Sequence, residues 1–234
     1  MKIKEDETMK LQRLALALSL AALISASVVG SVTAQDEISP RATRMNTFHG
    51  PTGLLRVPTA FVAVQNNAQY GVALRENERA ASVTYGITDY AEIGATIVDQ
   101  DGRSNKAIVS GKINVIPSNI GWFQLGLGAI DPFDVYDDSY YIVASTGILG
   151  APKGLEEKSI GLRLHLGYGT GIYREDPIGG AELFLDERFS VIGEYDGDDF
   201  NFGLRYSHRR QPFRILVGVA DTDFFLSSTV SLEF

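Results

Sequence analysis

From residue 68 to the C-terminus, apolar and polar side chains alternate in segment after segment. In one such stretch Ile160, Leu162, Leu164, Leu166 and Tyr168 are interleaved with Gly161, Arg163, His165 and Gly167. A period of two places each set on its own face of a β-strand. The pattern recurs at 68–75, 80–87, 91–98, 106–115, 122–130, 139–148, 158–169, 179–186, 189–196, 200–207, 213–220 and 225–234. Between these segments stand turn formers: Asp89, Asp101-Gly102, Pro117-Ser118-Asn119, Pro152, Pro177, Gly197-Asp198, Pro212 and Asp221. Strands joined by short links pair antiparallel with their chain neighbours. The chain is therefore expected to be all-β, with about twelve strands in up-and-down order across 67–234.

Which face meets which medium decides the class of barrel. The apolar face carries Tyr70, Val83, Leu127, Leu183, Phe202 and Val217. The other carries Arg75, Glu92, Lys112, Gln124, Arg163, His165, Glu182, Glu194, Arg205 and Arg214 among small residues. A soluble ligand-binding barrel turns its apolar face inward; a membrane barrel turns it outward. Tyr90, Trp122, Tyr140, Tyr168, Tyr195 and Phe200 fall near strand ends, where an interfacial aromatic girdle belongs. The chain closes on Val230, Leu232 and Phe234, and a terminal aromatic on an amphipathic strand resembles the assembly signal of bacterial outer-membrane barrels. The expected fold is thus a transmembrane antiparallel β-barrel. Arg75, Glu92, Lys112, Arg163, His165, Glu182, Glu194, Arg205 and Arg214 are its candidate lumen network, pairing across a narrow interior.

Composition narrows the alternatives. With no cysteine there is no disulfide, thiolate metal site, cysteine nucleophile or lipoprotein anchor. A net charge of −8 argues against nucleic acid. Beyond the N-terminal region no apolar run approaches the ~20 residues of a membrane helix. Lys10 and Arg13 precede an apolar stretch from Leu14 to Gly30, and Val32 and Ala34 occupy small-residue positions before Gln35-Asp36-Glu37. This is the layout of a secretory signal over 1–34, with cleavage expected after Ala34. The acidic Glu5-Asp6-Glu7 is unusual there, and a start at Met9 would remove it. Residues 35–66, with Pro40, Pro51 and Pro58, read as irregular.

No catalytic, cofactor or metal site is expected, and the chain does not read as an enzyme. His165 faces the lumen beside Arg163 with no serine evident at its side. His208 sits in a turn next to Arg209 and Arg210, and His49 carries no pattern. Gly167-Tyr168-Gly169-Thr170-Gly171 opens no helix and is a poor phosphate cradle. Asp196-Gly197-Asp198-Asp199 lacks the spacing of a calcium loop and reads as a hairpin turn. Gly53-Leu54-Leu55-Arg56-Val57-Pro58 could be an inserted plug, a clasp or the start of a strand. Packing at the periplasmic mouth is the expectation.

The stretch GPTGLLRVPTA, from Gly50 to Ala60, resembles the opening of the YjbH-like outer-membrane proteins, which are associated with exopolysaccharide or capsule production. The matching positions are Gly50, Gly53, Leu54, Pro58, Thr59 and Ala60. Ser82 to Ile97 is similar to the following family hairpin, and Glu194 to Ser207 to a later segment. The chain looks like a single-barrel short form. The resemblance implies an outer-membrane barrel that assists polysaccharide export or surface retention, or forms a narrow channel. The alternative is a non-transporting structural or interaction barrel. Expected partners are outer-membrane lipid and lipopolysaccharide, the barrel-assembly machinery and polysaccharide. With both ends periplasmic, the connectors after odd-numbered strands face outside. Those carry Asp131, Asp134, Asp137 and Asp138, then Asp196, Asp198 and Asp199, then Asp221 and Asp223. They make either an acidic outer rim or simply a set of aspartate turns.

Overall fold

The computed structural model describes residues 44–116, 123–149, 161–186, 188–208 and 211–234. The signal segment, Trp122, Ile160, Arg209 and Arg210 lie outside the described residues. Two short strands come first, β1 (Met45–Asn46) and β2 (Thr52–Gly53), paired with each other. Twelve longer ones follow: β3 (Asn67–Leu74), β4 (Glu78–Thr88), β5 (Ala91–Gln100), β6 (Lys106–Ile116), β7 (Gln124–Ile130), β8 (Ser139–Leu149), β9 (Gly161–Gly169), β10 (Asp176–Phe184), β11 (Phe189–Tyr195), β12 (Phe200–Ser207), β13 (Phe213–Ala220) and β14 (Asp223–Glu233). Each pairs antiparallel with its chain neighbours, and β14 returns to β3. The sheet is a closed twelve-stranded barrel in up-and-down order. Closure leaves no edge of exposed N–H and C=O groups, each of which would cost several kcal/mol in lipid.

The alternation sorts as a membrane barrel requires. Leu166 is 71% exposed, Phe200 70% and Phe202 60%, while Gln69, Thr84 and Asn201 are fully buried on the inner face. Apolar side chains point out along β4, β5, β6 and β11 as well, through Val83, Ile93, Ile97, Val109, Ile113 and Val191. The outer face is therefore the lipid face. Tyr90, Tyr140 and Tyr168 are exposed near strand ends, and Tyr195 packs against Phe200 with ring centroids 5.0 Å apart.

Strand order fixes the two ends. The upper end holds the connectors 75–77, 101–105, 131–138, 170–175, 196–199 and 221–222; the lower end receives Asn66 and Phe234. There the Phe234 N–H donates to the Asn66 carbonyl at 2.9 Å, fastening the last strand to the approach of the first. Register shifts at Gly86/Thr88, Asn114/Ile116 and Gly147/Leu149 all fall near the lower rim, where bulges end pairing. If the upper end is outside, an epitope tag at Asp137 is reachable on intact cells and one at Asp186 is not. Labelling of Asp186 alone would invert the barrel.

Candidate functional site

The barrel interior is occupied by the chain itself. Residues 44–66 enter at the lower end, fold back within the lumen and return to β3. Met45, Phe48, Leu54, Leu55, Val57, Ala60, Val62 and Ala63 are each at most 1% exposed. The segment expected at the periplasmic mouth is thus an inserted plug. The reason lies in the wall. Val98, Ile108, Ile130, Val143, Ile178, Ile192, Leu216 and Phe225 point inward and form one apolar cluster with the plug residues. Burying a Leu, Val, Phe or Met side chain there contributes about 1.5–3 kcal/mol each. At the mouth those side chains would have stayed in water.

An irregular backbone inside a barrel needs partners for its N–H and C=O groups. Two carboxylates of the inner wall provide many of them. Glu194, on β11, accepts from the backbone N–H groups of Leu55 at 3.0 Å, Arg56 at 2.8 Å and Val57 at 3.2 Å, and from Asn201 Nδ2 at 3.1 Å. Three successive N–H groups thus converge on one anion, in the manner of a backbone nest. Glu92, on β5, accepts from Thr52 N at 2.9 Å, the Thr52 hydroxyl at 2.8 Å and Ala63 N. Its charge is balanced by Lys112 at 3.1 Å, whose Nζ also donates to the Thr52 carbonyl at 2.7 Å.

The tip of the plug reaches the upper rim. Arg56 Nη1 lies 2.7 Å from Asp196 and 2.6 Å from Asp221. Burial opposes the Arg56 charge, but Asp196, Asp221 and Glu194 outweigh it and raise its pKa. Arg75 continues the rim network to Asp221 at 2.7 Å and Glu78 at 3.2 Å. His49, also in the plug, stacks edge-on against Phe48. Burial, aided by the Arg56 and Arg75 charges, pushes its pKa down to about 3, so it stays neutral. The rim aspartates serve two ends. Asp131, Asp134 and Asp221 adopt left-handed φ near +50°, and Asp196 Oδ1 accepts the N–H groups of Asp198 and Asp199 at 3.2 and 3.0 Å. The second oxygen of Asp196, with Asp221, holds the plug.

The two motif glycines explain themselves in this setting. Gly50 has φ +112°, and a Cβ there would sit 2.3 Å from Thr96 Oγ1; at Gly53 it would sit 2.3 Å from the Val57 carbonyl. That carbonyl accepts from Leu54 N at 2.9 Å. Gly53→Val is expected to loosen the plug by about 1–3 kcal/mol through overpacking, read as faster proteolysis within 44–66 in the folded barrel. Unchanged protection would refute the close fit.

The nine lumen residues named from the sequence are scattered through this arrangement. Glu92 and Lys112 are cross-strand partners. Arg205 lies 2.6 Å from Glu182, and Arg163 lies 3.9 Å from it. Arg214 donates to Ser231 Oγ at 2.8 Å. Arg75 belongs to the upper rim, where Asp221 links it to the Arg56 that Glu194 also holds. Among the described residues, these groups bond to strand neighbours and to the plug. His165 does have a serine beside it: Ser145 Oγ is 2.8 Å from Nδ1, because the two are cross-strand partners. The six motif positions are all plug residues. Leu54 is buried, Pro58 bridges Gly53, Thr59 donates its N–H to the Thr52 carbonyl, and Ala60 N–H donates to Ser145 Oγ at 2.9 Å.

No family model matches the chain, and no curated protein matches it. Among solved structures it is similar to a KdgM porin, at 11% identity over 72% of this chain and 99% of that one, with a TM-score of 0.46. The KdgM porin in complex with disordered oligogalacturonate matches at 10% identity over the same shares, with a TM-score of 0.46. The Acinetobacter baumannii outer membrane protein Omp33 matches at 12% identity over 73% of this chain and 98% of that one, with a TM-score of 0.45.

Proposed function

We propose that the protein is an outer-membrane barrel held shut by its own N-terminal segment, acting at rest as a non-conducting structural or interaction barrel of the envelope. The observation that carries this reading is the inward apolar wall in the upper half. Val98, Ile108, Ile130, Ile178 and Phe225, with Ile192 and Leu216 at mid-height, would be a poor lining for a water-filled channel, and they fit the plug. In planar bilayers the purified full-length barrel is expected to be silent. Steady conductance from the unmodified protein would sink the reading.

The lower half supports a second reading, in which the plug is a gate. Lys112, Glu92, His165, Glu182, Arg205 and Arg214 are buried there, and a static stopper needs no such charges, whose burial is costly. A lumen that becomes wet when the plug withdraws accommodates them. On this reading the YjbH-like resemblance of Gly50 to Ala60 points to assistance in polysaccharide export or surface retention. Deleting the gene would then lower surface polysaccharide, and a plug-locked variant would fail to restore it. Lipid and lipopolysaccharide on the outer face, assembly through Phe234 and export by a cleaved signal complete the proposal.

A further inference from the structure

The plug carries a histidine where a proton on its ring has no place. His49 is 2% exposed. Its ring lies between Phe48, with centroids 5.1 Å apart, and Tyr136 of the connector 131–138, at 6.0 Å. Its carbonyl is fastened to β5, accepting from the Thr96 hydroxyl at 3.1 Å. Nδ1 has no hydrogen-bond partner among the described residues. An imidazolium donates from both nitrogens. Protonation in place would therefore bury a charge together with an N–H that meets no acceptor.

The charged groups around the ring act in the same direction. Arg56 of the plug and Arg75 of the first upper connector both oppose a cation at His49. The carboxylates on this side are engaged elsewhere. Asp196 and Asp221 hold Arg56, and Asp221 also holds Arg75. Glu78 takes Arg75, Gln100 Nε2 and the Tyr136 hydroxyl. Asp131 takes the backbone N–H groups of Tyr136 and Asp137. Burial first, then the two arginines, keep the seated ring neutral down to about pH 3. Once the plug leaves the wall, the same ring stands in water, where a histidine takes up its proton near pH 6.5. The released state thus binds more protons than the seated one, and seating loses free energy as the pH falls below about 6.5.

We propose that His49 makes the plug acid-labile: in acid the released plug accepts a proton that the seated plug refuses, and withdrawal is favoured. This rests on the reading of residues 44–66 as a plug able to withdraw, and it names the signal that withdraws it.

The backbone N–H groups of Leu55, Arg56, Val57 and Ala60 donate to wall side chains. Their hydrogen exchange in the full-length barrel therefore reads the released fraction. Wild type and His49→Gln are compared at each pH as a ratio, which cancels intrinsic exchange chemistry and every titrating group they share, His165 included. From about pH 7.5 to about pH 5 the ratio of wild type to variant should rise about 30-fold, the factor by which proton uptake favours the released ring. His49→Phe keeps a ring between Phe48 and Tyr136 but takes no proton, and it should follow His49→Gln. A purely structural role would shift exchange by the same factor at both pH values. A ratio that does not change with pH overturns the proposal and leaves the plug reading intact. Wild-type plug amides that already exchange at about pH 7.5 as fast as the exposed Asn77 would overturn both.

Discussion

Glu194→Leu should turn a silent barrel into a conducting one. The substitution leaves the strand and its outward neighbours Val191 and Tyr195 alone but removes the acceptor of three successive plug N–H groups, those of Leu55, Arg56 and Val57. Each buried donor left without a partner costs about 1–3 kcal/mol. The sum is comparable to what two or three of the buried plug side chains contribute. The plug tip then gains by leaving for water, where its N–H groups are satisfied. The expected readout is current where the wild type shows none, with greater proteolytic access to residues 44–66. A second variant separates release from misassembly. Glu194→Gln keeps an acceptor oxygen in the same place, so it should stay silent where Glu194→Leu conducts. Silence of Glu194→Leu, with the barrel properly heat-modifiable, would show that the carboxylate does not hold the plug.

The barrel was legible in the sequence because lipid and lumen impose opposite demands at every second residue. Leu166 beside His165, or Phe202 beside Asn201, leaves no doubt about the pleat. The plug was less legible, since residues 44–66 have no period and their burial depends on a wall assembled from distant strands. A signal was nonetheless present. At or above mid-height several strands lose the alternation and become apolar on both faces: Ile108 stands between Ala107 and Val109, Leu216 between Ile215 and Val217, and Phe225 next to Phe224. Inward apolar residues in a membrane barrel call for something dry inside. The Ser145–His165 contact was beyond reach for a different reason. Both residues are inward by alternation, but their meeting depends on the register of β8 with β9, which the intervening connector does not specify. The sequence marks Glu194 only as an inward charge of the lumen network. Its partners are mainly backbone N–H groups, which carry no side-chain signature.

Arginine in place of Leu166 is expected to abolish most of the heat-modifiable barrel in cells, and its sign tests the lipid-facing assignment. Leu166 is 71% exposed in the middle of β9. In lipid, an arginine near the midplane costs about 2–4 kcal/mol, a large part of the 5–15 kcal/mol that holds a typical fold. Leu204, 47% exposed in the middle of β12, should behave alike. Arginine at Asn77, in the first upper connector and exposed, should be tolerated, since neither lipid nor lumen surrounds it. Were the barrel a soluble carrier, the same outward leucines would already face water. Exchange for arginine would then cost little or improve solubility, because an exposed leucine contributes almost nothing to folding. The two classes of barrel thus predict opposite outcomes for one substitution. Leu166→Arg and Leu204→Arg that accumulate as well as Asn77→Arg would rule out lipid on this face, and with it the membrane reading of every strand.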